Sequence, residues 1–481
     1  MVNPTKFLDG SVMVYAGDCL DVLDTLDENG VDSVVCDPPY HLHSIAKRFS
    51  STSINGVGTN ERRAKAGSDA MARLSKGFMG KAWDGGDVAF QVETWAKVFR
   101  VLKPGGYIVA FSSSRTFGRM SVAIEDAGFI NHPMFGWIFG SGFPKAHNAA
   151  KAIDRELGTP GSVVPSGAPV RRIRPGADQN KDGSWEKLED REYQPGSYAP
   201  GSPEAEAWSG WAYGGQATKP ALEPIYVGQK PFSEKNGAAN ILRWGVGAMN
   251  IDGCRVGTND DLKAGANKLW SHYRKGEASA DQRYQDRGGT NFVMTPGPRG
   301  GLPKGRWPAN LITDGSPEVL AAFPETPGAI RPVGPQYGEK KSVNAYGDYG
   351  PRDQTTIHGD TGSAARFFYT AKADAEDRIG SKHPTVKPLD LIQYLCRLVT
   401  PPGGTVLDPF AGTGTTGEAA WREGFSAVLI EREPEYLADI ARRMDLAVNP
   451  TKRAAVVAGK GELRGAEDTP LFGHLSEEKE S

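Results

Sequence analysis

Apolar and polar positions alternate with two different periods along the chain, and the alternation is confined to its two flanks. In the N-terminal flank, residues 11–15 and 31–36 read as strands. Residues 90–102 carry Trp95, Val98, Phe99 and Leu102 at helical spacing, and 107–111 is extended again. Pro104-Gly105-Gly106 punctuates that helix and strand, and a helix over about 115–127 and a strand near 134–139 follow. The C-terminal flank repeats the grammar. An amphipathic helix over 389–399 and a turn at 401–404 lead to a strand at 405–407, a helix over 415–422, a strand at 427–430 and a helix over 434–444. Such alternation predicts an α/β sheet with helices on both faces.

Between the flanks, over 141–365, the pattern dissolves into Gly, Pro, Ser and charged residues with interleaved Trp and Tyr. The span is too long for a loop and too irregular for more of the same sheet. It reads as an insert, partly disordered over about 159–210. The chain therefore divides into 1–140, an insert at 141–365, a second sheet-forming part at 366–447, and a polar, flexible tail at 448–481.

Topology joins the flanks. After Gly412 the chain supplies only one further strand and helix, which cannot complete a nucleotide-binding sheet, so the missing strands come from the N-terminus. The strand before Asp37 and the strand before Gly412 then share one sheet, with both following loops at its carboxyl edge, where such sheets bind ligands.

Composition narrows the partners. The 481 residues hold no apolar run long enough to span a bilayer, and no secretory signal is visible, so the expected location is cytoplasmic with no membrane partner. Cys19, Cys36, Cys254 and Cys396 lack metal-ligand spacing, which suits a reducing compartment and predicts neither a metal site nor a disulfide framework. None follows a proline, which argues against pyrimidine-ring methylation of the cytosine-C5 type, and Cys36 reads as a small buried residue at a strand end. The net charge of −2 gives no global pull on a polyanion. Local clusters supply it instead: Lys47, Arg48, Arg62, Arg63, Lys65, Arg73, Lys76 and Lys81 follow Tyr40, and Arg171, Arg172 and Arg174 form a second group.

Two motifs carry the chemistry. Gly412-Thr413-Gly414-Thr415-Thr416-Gly417 lies between a strand and a helix, where glycines let a ligand approach the backbone. Glu431, at the end of the next strand, is placed to accept ribose hydroxyls. In Asp37-Pro38-Pro39-Tyr40 the prolines force the chain out of the strand, leaving the Pro38 carbonyl beside the Asp37 carboxylate and an aromatic face above both. Two acceptors and a stacking ring suit a planar amino group.

Together these residues resemble the amino-group DNA methyltransferases, in the arrangement where the catalytic motif comes first and the S-adenosylmethionine motif last. The resemblance implies a Rossmann-like methyltransferase sheet assembled from both flanks, with the 141–365 insert as a target-recognition region. It implies a catalytic set of Asp37, Pro38, Pro39 and Tyr40. The implied cofactor loop is Asp408, Pro409, Phe410, Ala411, Gly412, Thr413 and Gly414, with Glu431 as ribose ligand and Asp18 near the cofactor adenine. His383-Pro384-Thr385-Val386-Lys387-Pro388 resembles the segment lining the methionine pocket, which places Thr385 and Lys387 among the cofactor contacts. Residues 140–145 and 305–310 look like segments of phage and bacterial members.

The implied activity is methylation of adenine N6 in double-stranded DNA. Cytosine-N4 methylation, an RNA or protein-glutamine substrate, and a nicotinamide-dependent oxidoreductase are the alternatives. The last leaves 37–40 unexplained. A homodimer and a separately encoded cognate endonuclease are both compatible with the resemblance, so restriction, regulatory and self-protection roles stay open.

Overall fold

The structure, a computed structural model, describes residues 3–40, 87–166, 195–257, 305–327, 361–371, 375–381 and 385–457, together with His383 and short paired strands between 170 and 193 and at 343–348. The basic segment from Lys47 to Lys81 lies outside the described residues, as does Arg174.

The main sheet has eleven strands. Ten form its continuous path: β1 (Thr5–Phe7), β2 (Val12–Ala16), β3 (Val31–Cys36), β4 (Leu102–Phe111), β5 (Phe135–Ile138), β6 (Leu222–Gln229), β7 (Leu311–Thr313), β8 (Tyr369–Thr370), β9 (Thr405–Asp408) and β10 (Ser426–Glu431). Their spatial order is β1-β2-β10-β9-β3-β4-β6-β5-β7-β8. From β2 to β4 all neighbours are parallel, and β6 enters antiparallel to both β4 and β5. The late strands β9 and β10 thus lie between β2 and β3, as the topological argument requires.

Side chains alternate along each central strand, and both faces are covered. On β3, Val34 joins the cluster formed by the helices α1 (Cys19–Thr25), α2 (Val92–Val101) and α3 (Phe117–Asp126), where Leu23, Trp95 and Ile124 are buried. Val35 joins the opposite cluster, formed by α4 (Leu389–Val399), α5 (Thr415–Arg422) and α6 (Pro434–Val448) with Leu395, Ala419 and Ile440. Burial on both faces is why these strands read as apolar runs with little polar alternation. The polar residues that do enter β3 are paired: Asp32 accepts from Lys103 at 2.5 Å and from the Thr405 amide at 2.8 Å, and Ser33 Oγ meets Thr400 Oγ1 at 2.8 Å.

The chain leaves β9 through α5 towards β10 on one side, and leaves β3 towards α2 and β4 on the other. The crevice between the carboxyl ends of β9 and β3 is therefore the topological switch point of the sheet, the place where open α/β sheets take ligands.

Part of the 141–365 segment belongs to this sheet. Ile225, Tyr226 and Val227 bury fully in β6, and Ile312 does so in β7. Pro224 and Gly228 break the apolar run around the former, which hides it from a reading of periodicity. A second compact unit falls within 141–221. In it, the helix Ala149–Leu157 is capped by Asn148 and ends at Gly158, and its buried Asp154 accepts from Tyr198 Oη, the Gly201 amide and Ser202 Oγ at 2.6–2.8 Å. Strands Ser162–Pro165 and Gly196–Ala199 pair within the span read as disordered, and Arg171 and Arg172 lie on the strand Val170–Arg172. Beyond residue 447, Pro450–Val457 is helical. Among the described residues no helix is long and apolar enough to cross a membrane.

Candidate active site

Asp37 is the first residue past β3, and Pro38 and Pro39 carry the chain out of the sheet. Both Asp37 carboxylate oxygens are engaged: Oδ1 accepts from Tyr40 Oη at 2.7 Å and Oδ2 from Lys387 Nζ at 2.7 Å. Lys387 also donates to Tyr40 Oη at 3.0 Å. Its ammonium lies 5.2 Å from the centre of the Tyr40 ring and 5.0 Å from that of Phe111, at the end of β4. The structure thus places Lys387 on the Asp37 motif, 350 residues away in sequence, whereas the sequence reading put it among the cofactor contacts. Thr385 is exposed, and its amide donates to His383 Nδ1 at 3.3 Å.

A residue missed by sequence reading completes this cluster. Glu223, on β6, places Oε2 at 3.3 Å from Lys387 Nζ, an ion pair that does not complete a hydrogen bond, so this enclosed oxygen has no hydrogen-bond partner. Burial raises the Glu223 carboxyl above its ordinary range, opposed by Lys387 and reinforced by Asp37. Burial also works against the Lys387 ammonium, but Asp37 and Glu223 outweigh it and hold the lysine above its usual value.

The second half of the crevice is the loop after β9. Asp408 is buried and turned inward, accepting from Thr416 Oγ1 at 2.6 Å and the Phe410 amide at 3.0 Å, so it shapes the loop. Burial pushes its carboxyl up to about 7. Pro409 follows, and Phe410 sets its ring edge on Trp95 with centroids 6.2 Å apart. The Ala411 amide donates to the Ile430 carbonyl at 3.0 Å, tying the loop to β10. Gly412 and Gly414 have φ of +52° and +78°, the left-handed region that glycine enters without strain. Gly414 also packs closely: a Cβ there would come within 3.0 Å of Ile440.

Glu431 sits at the end of β10 with its carboxylate ringed by amides. Gly412 donates to Oε2 at 2.7 Å, and Arg432 and Glu433 donate to Oε1 at 2.9 and 2.8 Å. Burial outweighs these bonds and pushes the carboxyl up to about 7. Next to it, the Gly17 amide donates to the Glu431 carbonyl at 3.0 Å. Asp18 caps α1 through the Leu20 amide at 2.9 Å and lies 3.7 Å from Arg432. Cys36, behind the site, is buried, and burial pushes its thiol well above the ordinary range, which fits packing and not nucleophilic attack.

Arg443 braces the loop from below. It is fully buried on α6 and donates to the Thr413 carbonyl at 2.8 Å, Glu418 Oε2 at 2.9 Å and the Asp377 carbonyl at 2.7 Å. Glu418, also fully buried, accepts in addition from Arg422 and Arg453. An arginine at a helical position normally reads as a solvated face, so nothing in the sequence singles it out. Arg443→Ala would strip one cation from a buried network and a donor from the loop, and we expect a loss of about 3–5 kcal/mol. Urea denaturation checks this, and a loss under about 1 kcal/mol would mean that Arg422 and Arg453 suffice for Glu418.

The two halves meet at the switch point: the hydrogen-bonded cluster of Asp37, Tyr40 and Lys387, and the glycine loop tied to Glu431 through Gly412. This is the layout of an open α/β sheet with its ligand crevice at the switch point. Residues 268–442 match the family model N6_N4_Mtase, described as DNA methylase, so the resemblance read from the motifs holds over this part of the chain. The Type II methyltransferase M2.DpnII of Streptococcus pneumoniae is 43% identical over 75 residues, which are 16% of this chain and 28% of that protein. Two solved structures are also similar. The PvuII DNA methyltransferase (cytosine-N4-specific) is 15% identical, with 95% of this chain and 98% of that one covered and a TM-score of 0.37. The TTHA0409 protein of Thermus thermophilus, complexed with S-adenosyl-L-methionine, is 16% identical, with 91% and 94% covered and a TM-score of 0.33. Likeness at this level leaves the fold to the strand order itself.

The residues present fit that cofactor. An acid ends the strand after the glycine loop, and Gly412, half-buried and in left-handed conformation, leaves its backbone open to a ligand while Gly414 packs against Ile440.

Proposed function

We propose that this chain is a site-specific DNA methyltransferase that moves the methyl group of S-adenosylmethionine to the exocyclic N6 of adenine. The observation that carries the reading is the meeting of the Asp37–Tyr40 hydrogen-bond cluster and the Gly412–Glu431 loop in one crevice of one sheet. Gly412, Gly414 and Glu431 would hold the cofactor, with Asp18 towards its adenine. The bound sulfonium supplies an already activated methyl group, so the protein needs no covalent intermediate.

The protein's part is positioning. The Asp37 carboxylate and Pro38 carbonyl accept the two amino hydrogens and turn the nitrogen lone pair outward. An amino group inside a duplex cannot reach this crevice, so the base is extruded at a cost of a few kcal/mol, of which stacking on Tyr40 returns about 1–3 kcal/mol. An aspartate at the first motif position favours adenine over cytosine within the resembling family.

The basic residues that follow Tyr40 in sequence are the candidates for contacting the duplex backbone, and the 141–365 insert is the candidate for reading its sequence. Sequencing modified bases in a host expressing the chain tests the reading. N6-methyladenine at one recurrent site is expected; N4-methylcytosine would replace the base, and unmodified DNA with methylated RNA or protein would replace the substrate.

A further inference from the structure

We propose that Lys387 occupies the place of the target amino group in the free enzyme, and that Glu223 is the positioning residue that receives the Lys387 ammonium when the base enters. The inference rests on the methyltransferase reading and deepens it.

The Lys387 ammonium sits where an incoming amine must go. It donates to the Asp37 carboxylate at 2.7 Å and to Tyr40 Oη at 3.0 Å, and it lies against the Tyr40 ring on which a base would stack. An exocyclic amino group and this ammonium cannot both fill the Asp37 acceptor. Removing a buried cation from its carboxylate is costly unless a second anion takes it over. Glu223 is that anion. Its Oε2 is already 3.3 Å from the ammonium, is enclosed by protein, and lacks a hydrogen-bond partner. A shift of a few tenths of an ångström converts the ion pair into a hydrogen bond. The exchange moves no proton and makes or breaks no covalent bond. One cation remains between two carboxylates throughout, while the Asp37 oxygen is released to the substrate.

A merely structural salt bridge has the same geometry but different coupling. If Glu223 acts by relocating Lys387, its removal should matter only while Lys387 is present. The test uses the full chain and a duplex carrying the site found by sequencing, in four forms: wild type, Glu223→Gln, Lys387→Met and the double variant. Glu223→Gln should lower kcat/KM for the duplex about ten- to hundredfold, mainly through KM, with calorimetric binding of S-adenosylmethionine unchanged. Glu223→Asp, which keeps the charge, should recover most of the loss. In the Lys387→Met background, where no ammonium is left to relocate, adding Glu223→Gln should change activity by no more than about twofold. Equal losses from Glu223→Gln in both backgrounds, unchanged turnover, or loss of cofactor binding along with activity would each overturn the proposal. A wild-type chain that methylates no DNA would remove the functional reading and this inference with it, whereas wild-type transfer with additive variants removes the inference alone.

Discussion

Replacing Asp37 with alanine is expected to lower methyl transfer to duplex DNA by about 10²–10⁴-fold, the range set by removing a group that aligns and stabilises the reacting atoms. Binding of S-adenosylmethionine should persist. Asp37 Oδ1 and Oδ2 bond Tyr40 and Lys387, while the proposed cofactor contacts at Gly412 and Glu431 bond one another through the loop and β10. The substitution therefore removes an acceptor from one half of the crevice without touching the other. Lys387 keeps Glu223 as counter-ion, so the site does not lose its charge balance entirely. Tyr40→Ala should cost less, because it loses stacking worth about 1–3 kcal/mol and leaves the carboxylate in place. Calorimetric titration with the cofactor, paired with a tritiated-methyl assay on DNA, separates the two effects. Normal turnover in Asp37→Ala, or loss of cofactor binding as complete as in a cofactor-loop variant, would detach Asp37 from the target base.

The contrast between Asp37 and Glu223 shows what a sequence can and cannot disclose about such a site. Asp37 announces itself because its neighbours are chemically odd: two prolines ending an apolar strand have a local physical cause and a local consequence. The Gly412 loop is legible for the same reason, and the order of the two motifs forces the late strands into the middle of the sheet. Glu223 has no local signature. Its strand pairs antiparallel with β4 from within a glycine- and proline-rich stretch, and only that pairing brings its carboxylate to the edge occupied by Asp37. Lys387 was visible as a motif residue, but its direction was not. The segment before α4 fits either half of the crevice, and the choice is made by the carboxylates at Asp37 and Glu223, which are far apart in the chain. Arg443 stayed hidden because burial of a guanidinium depends on Glu418 and on two backbone carbonyls meeting it in space.

Gly412→Val should abolish cofactor binding, raising the dissociation constant by about a hundredfold or more, equivalent to about 3 kcal/mol. Space alone does not cause this. A Cβ at Gly412 would meet only His383 Nε2 at 3.6 Å, an ordinary contact. The obstacle is the φ of +52°, a region that costs a β-branched residue about 1–3 kcal/mol, together with the branched carbons standing where the ligand approaches the backbone. Relaxing that strain would also swing the Gly412 amide away from Glu431 Oε2, now 2.7 Å distant.

Glu431 gives the same site a pH dependence whose sign can be worked out. Burial raises its folded-state value from 4.5 to about 7, so the folded protein holds this proton more tightly than the unfolded chain. The free protein therefore loses stability as pH rises from 4.5 through about 7, and is level with respect to this group above and below that window. Ribose hydroxyls donate to the ionised carboxylate, so cofactor affinity should rise between about pH 6 and pH 8 with release of a proton. Glu431→Gln should bind more weakly and lose that slope, while Gly412→Val should bind too weakly for a slope to be measured. Calorimetry in buffers of different ionisation enthalpy reports the proton directly. A wild-type affinity that is flat or falls across this range would show that Glu431 is not the group meeting the ribose.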